Sequence, residues 1–180
     1  LEVIVQELGL VNGEVMFSIN KVDWFDLAKI YNAADCTVNI SDAEGFGLAT
    51  LESLSCGTPI LVNMTGGLQE QVTDGENWFG IGVEPCSKAV IGSQQVPFIY
   101  EDRMHKDDFL DAIEKMYNAW KDDTREYKEW SEKGVEHVRK NYNFENFEKK
   151  WIETMLNIHE KHGSWETRKG YKSWELREVA

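Results

Sequence analysis

The residues whose types and spacing could do chemistry cluster in one stretch, 41–59, which reads SDAEGFGLATLESLSCGTP. Glu44 stands just before Gly45-Phe46-Gly47, and Glu52 lies eight residues on. Glycines at 45 and 47 let a backbone approach a ligand closely and take positive φ, so that the N–H groups of Phe46, Gly47 and Leu48 can converge on an anion. A carboxylate on each side of such a cradle suits a ligand that carries many hydroxyls beside a diphosphate. The carboxylates accept from the hydroxyls while the amides donate to the phosphates. A plainer reading is a solvated helix start with one Glu favoured by the helix dipole, and on spacing alone that reading has the better claim.

The flanking residues say what must position this stretch. Residues 36–40, CTVNI, and 60–63, ILVN, are short apolar runs of buried-strand type. Between them Leu48, Leu51 and Leu54 recur at helical spacing, Gly57 supplies a helix stop, and Pro59 opens the next strand. The unit is β-loop-α-β, with its loop at the carboxyl end of a strand. Open α/β sheets place ligands there, beside the free amides of a helix N-terminus.

The rest of the chain continues the alternation. Residues 1–8 have helical spacing, Asn12-Gly13 marks a turn, and residues 15–19 predict a strand. Asp23 is placed to cap a helix over 24–34. After the motif come the strand 60–62, a Thr65-Gly66-Gly67 loop opening a short helix through Val72, a turn at Asp74-Gly75-Glu76-Asn77, and a last strand over 79–83. This order predicts an α/β fold with a Rossmann-like, doubly wound parallel sheet. From Glu84 to Met104 Pro85, Gly92 and Pro97 interrupt the pattern, which predicts a long surface loop with an apolar segment at 96–100. Beyond Lys106 the chain is helical. Phe109, Leu110, Ile113, Met116, Tyr117 and Trp120 form one apolar face, and further helices cover 124–141 and 144–162, the last ended by Gly163. The division expected is an incomplete Rossmann-like unit over 1–105, C-terminal helices over 106–162 packing on it, and a polar tail over 163–180 carrying Trp165, Tyr171 and Trp174.

Composition narrows the classes. At 180 residues and 42% hydrophobic content there is room for one domain with a real core. A formal charge of −13, with no lysine or arginine stripe, argues against a nucleic-acid partner. Cys36, Cys56 and Cys86 lack C-x-x-C spacing and read as reduced, mostly buried thiols, which points to the cytoplasm. No apolar run is long enough to span a membrane. His159 and His162 are three apart on a helix flanked by solvated charge and do not make a metal site. His105 and His137 are isolated, and the tryptophans at 24, 78, 120, 130 and 151 read as core or half-buried surface.

The ordered series Glu44-Gly45-Phe46-Gly47-Leu48, Glu52, Cys56-Gly57-Thr58-Pro59, Gly66-Gly67 with Glu70 and Val72, then Asp74-Gly75, resembles the nucleotide-binding C-terminal domain of retaining GT-B glycosyltransferases of the GT4 group. Glu44 and Glu52 match that family's pair of spaced glutamates. The likeness covers residues 1–160 and weakens to a pattern of helices downstream. Trp78 stands where the family usually has a glycine.

The resemblance implies roles residue by residue. Glu44 would lie by the hydroxyls of the donor sugar at the catalytic position. Glu52 would accept from the ribose hydroxyls, and Gly45, Phe46, Gly47 and Leu48 would meet the donor through their backbone, Leu48 also by packing near the nucleoside. The donor would be a nucleotide-diphospho-sugar, with no metal and no further cofactor. The leaving diphosphate would be stabilised by helix-terminal amides and basic side chains. The family's basic residues belong to a first β-α unit that has no counterpart ahead of Val15. Two strands and an acceptor domain are therefore expected from a missing N-terminal part or a complementing chain, to which any peripheral membrane contact would also belong. In the sheet order 3-2-1-4-5-6 the absent strands 1 and 2 would lie between 15–19 and 36–40, leaving edges unpaired. Two functions are expected from this. The first is a retaining glycosyltransferase's donor-binding portion that transfers a hexose, inactive when isolated. The alternative is a non-catalytic nucleotide-sugar-binding or assembly protein derived from one.

Overall fold

The computed structural model describes residues 1–164, 166 and 167, so Trp165, Tyr171 and Trp174 of the expected tail lie outside the described residues. The first element is a short helix, α1 (Glu2–Glu7). Helix α2 (Trp24–Ala33) starts at Asp23, whose carboxylate accepts from the Asp26 amide as its composition predicts. Then β1 (Thr37–Asn39), α3 (Leu48–Ser55) and β2 (Ile60–Asn63) form the β-loop-α-β unit. Helix α4 (Leu68–Val72) and β3 (Gly80–Val83) complete the sheet.

The three strands are parallel in the order β1-β2-β3. Thr37 sits opposite Ile60, and Ile60 opposite Gly80. The central strand is buried along its whole length, which explains its unbroken apolar run. Its side chains alternate between two cores. Ile60 and Val62 pack with Leu54, Leu68, Val72 and Phe79 on one face. Leu61 packs with Val83, Ala112, Met116, Ala119 and Trp130 on the other. Gly57 ends α3 at φ +84°, the left-handed conformation its position calls for.

Two helices close the layers, α5 (Lys106–Lys121) and α6 (Arg125–Asn141), the second capped by Thr124. A Cβ at Gly134 would stand 2.9 Å from Leu54 Cδ2, so glycine is what allows α6 to close on α3. Helix α7 (Phe144–His162) was expected to pack with them, yet it contains no buried residue.

Four expectations are corrected. Residues 15–19 form no strand and are exposed. A strand is stable only against a hydrogen-bonding neighbour, and among the described residues β1, β2 and β3 pair only with one another. Residues 84–104 are not a loop but contain an antiparallel hairpin, β4 (Ser87–Ile91) with β5 (Ile99–Arg103), running in register from Ser87 opposite Arg103 to Ile91 opposite Ile99. Its turn includes Phe98 at φ +62°. The apolar face of α5 divides. Ala112, Met116 and Ala119 are buried, whereas Leu110, Ile113, Tyr117 and Trp120 remain largely exposed. The reason is that β1 is the edge of the sheet. Beyond it Ile113, Tyr117 and Trp120 line an apolar cleft of about 230 Å³ with Cys36, Val38 and Leu61. Finally, the thiols are free but not mostly buried: Cys36 and Cys56 are half-buried and Cys86 is exposed. Of the tryptophans, Trp130 is core and Trp24 is largely exposed.

Candidate functional site

The loop that carries the chemistry begins where β1 ends. Asn39 Oδ1 accepts from the Ser41 amide at 3.1 Å and the Ser41 hydroxyl at 2.8 Å, turning the chain off the sheet. Three residues later the loop meets the Thr65-Gly66-Gly67 segment after β2. The Gly67 amide donates to the Glu44 carbonyl at 3.3 Å. Gly66 has φ +48°, and a Cβ there would collide with that carbonyl. A Cβ at Gly67 would come within 2.6 Å of the Phe46 carbonyl. The paired glycines thus serve close approach of two loops at the carboxyl ends of adjacent strands.

Gly47 is the N-cap of α3 with φ +85°, and no side chain caps the helix. A Cβ there would meet Leu68 Cδ2 at 2.6 Å and Thr50 Oγ1 at 2.8 Å. Gly45 differs from the expectation. It is not in the left-handed region, and a Cβ would find nothing within 4 Å. Its lack of a side chain meets no need of the fold and leaves space over the loop. The carbonyls of the loop are tied down from below. The buried Gln71 donates through Nε2 to the Phe46 carbonyl. The Thr50 hydroxyl lies 2.8 Å from the Gly47 carbonyl and 2.6 Å from Gln71 Oε1. With the carbonyls engaged beneath, the first-turn amides of α3 are the groups left for a ligand, since helical geometry gives them no internal partner.

The predicted site residues separate by exposure. Gly45, Phe46, Leu48 and Glu52 are exposed, Glu44 is half-buried, and Gly47 is buried. The Glu44 carboxylate has no hydrogen bond or ion pair among the described residues. Glu52 does have a partner, which sequence reasoning missed: Glu52 Oε2 accepts from the Tyr31 hydroxyl at 3.1 Å. Burial, then the hydrogen bond to Glu52, pushes the Tyr31 phenol up to about 12. The available signal was the four-residue spacing of Leu27 and Tyr31, which puts both on one side of α2.

Phe46 was expected to contribute backbone alone, but its ring joins an aromatic series. It meets Tyr142 edge-on at 6.0 Å, Tyr142 meets His137 at 5.6 Å, and His137 stacks on the buried Phe79 at 4.4 Å. Asn141 Nδ2 lies 3.1 Å from His137 Nδ1, and His137 Nε2 is buried. Burial holds the His137 pKa below its ordinary value, opposed by the nearby Asp74 charge. Asp74 itself accepts from the amides of Glu76 and Asn77 in its turn, which brings its carboxyl down to about 2. Among the described residues no group of three or more His, Cys, Asp or Glu side chains could hold a metal ion. Among them, too, no helix is long and apolar enough to cross a membrane.

Residues 2–136 match the family described as glycosyl transferases group 1. D-inositol 3-phosphate glycosyltransferase from Thermomonospora curvata is 46% identical over 66 residues, 36% of this chain and 15% of that protein. The enzyme of the same name from Paenarthrobacter aurescens is 33% identical over 93 residues, 52% of this chain and 18% of its own length. Among solved structures, sucrose-phosphate synthase from Thermosynechococcus elongatus superimposes with a TM-score of 0.61 at 26% identity, over 87% of this chain and 33% of the synthase. The chain therefore spans a third or less of these relatives. Its α/β architecture, parallel sheet and motif series are those of a GT-B glycosyltransferase of the GT4 type. The chain belongs to the group 1 glycosyltransferases.

Proposed function

We propose that this chain is the donor-binding portion of a retaining glycosyltransferase, which takes a hexose from a nucleotide-diphospho-sugar. The observation that carries the reading is the N-terminus of α3, where no side chain caps the first-turn amides and which lies in the chain between the half-buried Glu44 and the exposed Glu52. The amides of Phe46, Gly47 and Leu48 donate to the diphosphate and offset the charge that grows on it as the glycosidic bond breaks. Glu52 accepts from the ribose hydroxyls, its carboxylate oriented by Tyr31. Glu44 accepts from the sugar hydroxyls, and neither carboxylate is a nucleophile. No metal is required in this reading, because the amides, with cations supplied by the further part of the protein, take its part.

Activity requires a further part of the protein or a second polypeptide, and the open side of β1 is where it joins. Among the described residues β1 pairs with β2 alone, and Val38 and Ile40 are exposed. The cleft between β1 and α5, lined by Val38, Ile113, Tyr117 and Trp120, receives apolar side chains of the added strand. We place the working protein in the cytoplasm. A second reading, a non-catalytic nucleotide-sugar-binding or assembly protein, is favoured by one observation. Arg103, the cation joined to this loop through Asp42, is engaged by two carboxylates, Asp42 and Glu101.

The test is an amide NMR titration of the 180-residue chain with UDP-glucose and GDP-mannose. The reading expects the amide resonances of Phe46, Gly47 and Leu48 to shift, and the shifts to weaken in Glu52→Ala. Shifts elsewhere, with those three amides unmoved, contradict it. Turnover when an acceptor-domain half is added separates an enzyme from a binding protein.

A further inference from the structure

We infer that the β4–β5 hairpin is a strut for the Glu44 loop, with Asp42 and Arg103 as positioning residues. The inference deepens the donor-loop reading and rests on it for its second arm only. Among the described residues the Glu44 carboxylate has no partner of its own, so its place is set by the backbone on either side of it. That backbone is bolted to β5. The Asp102 amide donates to the Asp42 carbonyl at 2.7 Å. The Arg103 guanidinium pairs through Nη1 with the Asp42 carboxylate and through Nη2 with Glu101.

The same strand holds the loop after β2. Thr65 Oγ1 donates to Asp102 Oδ2 at 2.8 Å, and Lys88 Nζ lies 3.4 Å from Asp102 Oδ1. Buried Asn63, at the end of β2, donates through Nδ2 to both the Ser41 and Asp102 carbonyls at 3.0 Å, while its Oδ1 has no partner among the described residues. Those two carbonyls dictate the orientation of its amide, and the fold bears an unpaired oxygen to keep both. Asp42 is two residues from Glu44, and Thr65 is two residues from Gly67, whose amide holds the Glu44 carbonyl. One strand outside the nucleotide-binding motif thus joins both loops that frame Glu44. Charge-assisted bonds of this kind are the stronger ones, and partial burial reduces their screening.

The first arm measures amide exchange in the 180-residue chain without nucleotide. In Arg103→Ala, exchange at Asp102 and Gly67 accelerates by about tenfold or more, while Leu61 and Val62 in the central strand exchange as in the parent. Arg103→Lys, which keeps the charge and loses the fork, lies between. A folded Arg103→Ala chain whose Asp102 and Gly67 amides exchange at the parent rate overturns the strut. Should that variant not fold, Asp42→Asn removes the ion pair while preserving the carbonyl contact, and the same comparison applies. The second arm is affinity for the nucleotide sugars UDP-glucose and GDP-mannose, which falls in Arg103→Ala and recovers in part in Arg103→Lys. A freed loop with unchanged nucleotide-sugar affinity overturns the positioning role. If the parent binds neither nucleotide sugar while Arg103→Ala frees the loop, the donor reading fails and the strut stands.

Discussion

The Tyr31 hydroxyl donates to Glu52 Oε2 at 3.1 Å, so the carboxylate on the second turn of α3 is oriented by a neighbouring helix. Because the Tyr31 phenol is pushed up to about 12, it remains a donor throughout the neutral range. The folded state thus holds this proton more tightly than the unfolded chain, whose tyrosine titrates near 10. Its contribution to stability is complete below about pH 10 and is lost as the pH rises toward 12. Tyr31→Phe is expected to lose less stability than the parent between pH 9 and 11, as read from thermal unfolding across roughly that range. Identical alkaline profiles for the two chains would show that the phenol and Glu52 are not coupled.

The two motif glycines give opposite predictions. Gly47→Ala forces a side chain into a left-handed position against Leu68 and Thr50, a strain of about 1–3 kcal/mol that lowers the melting temperature by several degrees. Gly45→Ala meets nothing in the protein and leaves the melting temperature within about a degree of the parent. Its effect is expected in nucleotide affinity instead, where a methyl group intrudes on the ligand. Calorimetric scans and binding isotherms of both variants check the contrast. Equal destabilisation by the two substitutions contradicts it.

Gln71 is fully buried beneath the loop, and its amide serves both Phe46 and Thr50. Removing it in Gln71→Ala leaves the Phe46 carbonyl without its donor and costs about 1–3 kcal/mol, measurable by urea unfolding. Gln71→Leu fills more of the volume but restores no donor, so it recovers little. Full recovery by leucine would mean that packing, not the polar link, holds the loop.

His137 sets an acid limit on stability. Burial lowers its pKa, so the folded state favours the neutral ring and the unfolded chain takes up the proton first. Stability from this group is present above the ordinary histidine pKa of about 6.5 and is lost as the pH falls through the depressed value. His137→Phe keeps the stack between Phe79 and Tyr142 and is expected to flatten the decline between about pH 7 and 5. The charged groups facing the ring include Asp74, which favours the proton, and Lys140, which opposes it. A parent and variant that decline in parallel would assign the acid loss to other residues.

The legible parts of this molecule were those in which local chemistry and tertiary structure agree. Asp23 caps α2, Gly57 ends α3, and the run Ile60-Leu61-Val62 is the buried central strand, each a consequence of residue type at its own position. The motif loop was found at the carboxyl end of β1 for the same reason. What was not legible depends on partners distant in sequence. Residues 15–19 have strand composition but no strand to pair with. The β4–β5 hairpin is hidden by Pro97 and Gly92, and its function lies in bonds from Asp102 and Arg103 to Asp42, about 60 residues away. The face of α5 is uniform in the sequence and divides only because the sheet stops at β1. For the candidate site, Glu44 and Glu52 were singled out by the family resemblance, since spacing alone favoured a plain helix start, whereas the contacts of Tyr31, Gln71 and Arg103 were visible only once the chain was folded.

The most direct measurement is calorimetric titration of the 180-residue chain with UDP and with GDP, with Glu52→Ala as the control. The account predicts that one of the two nucleotides binds and that the substitution weakens it by about tenfold or more, as the loss of a charged hydrogen-bond acceptor should. A chain that is folded by circular dichroism, yet binds neither nucleotide, or binds one equally well with and without the Glu52 carboxylate, contradicts the claim that this loop receives the donor.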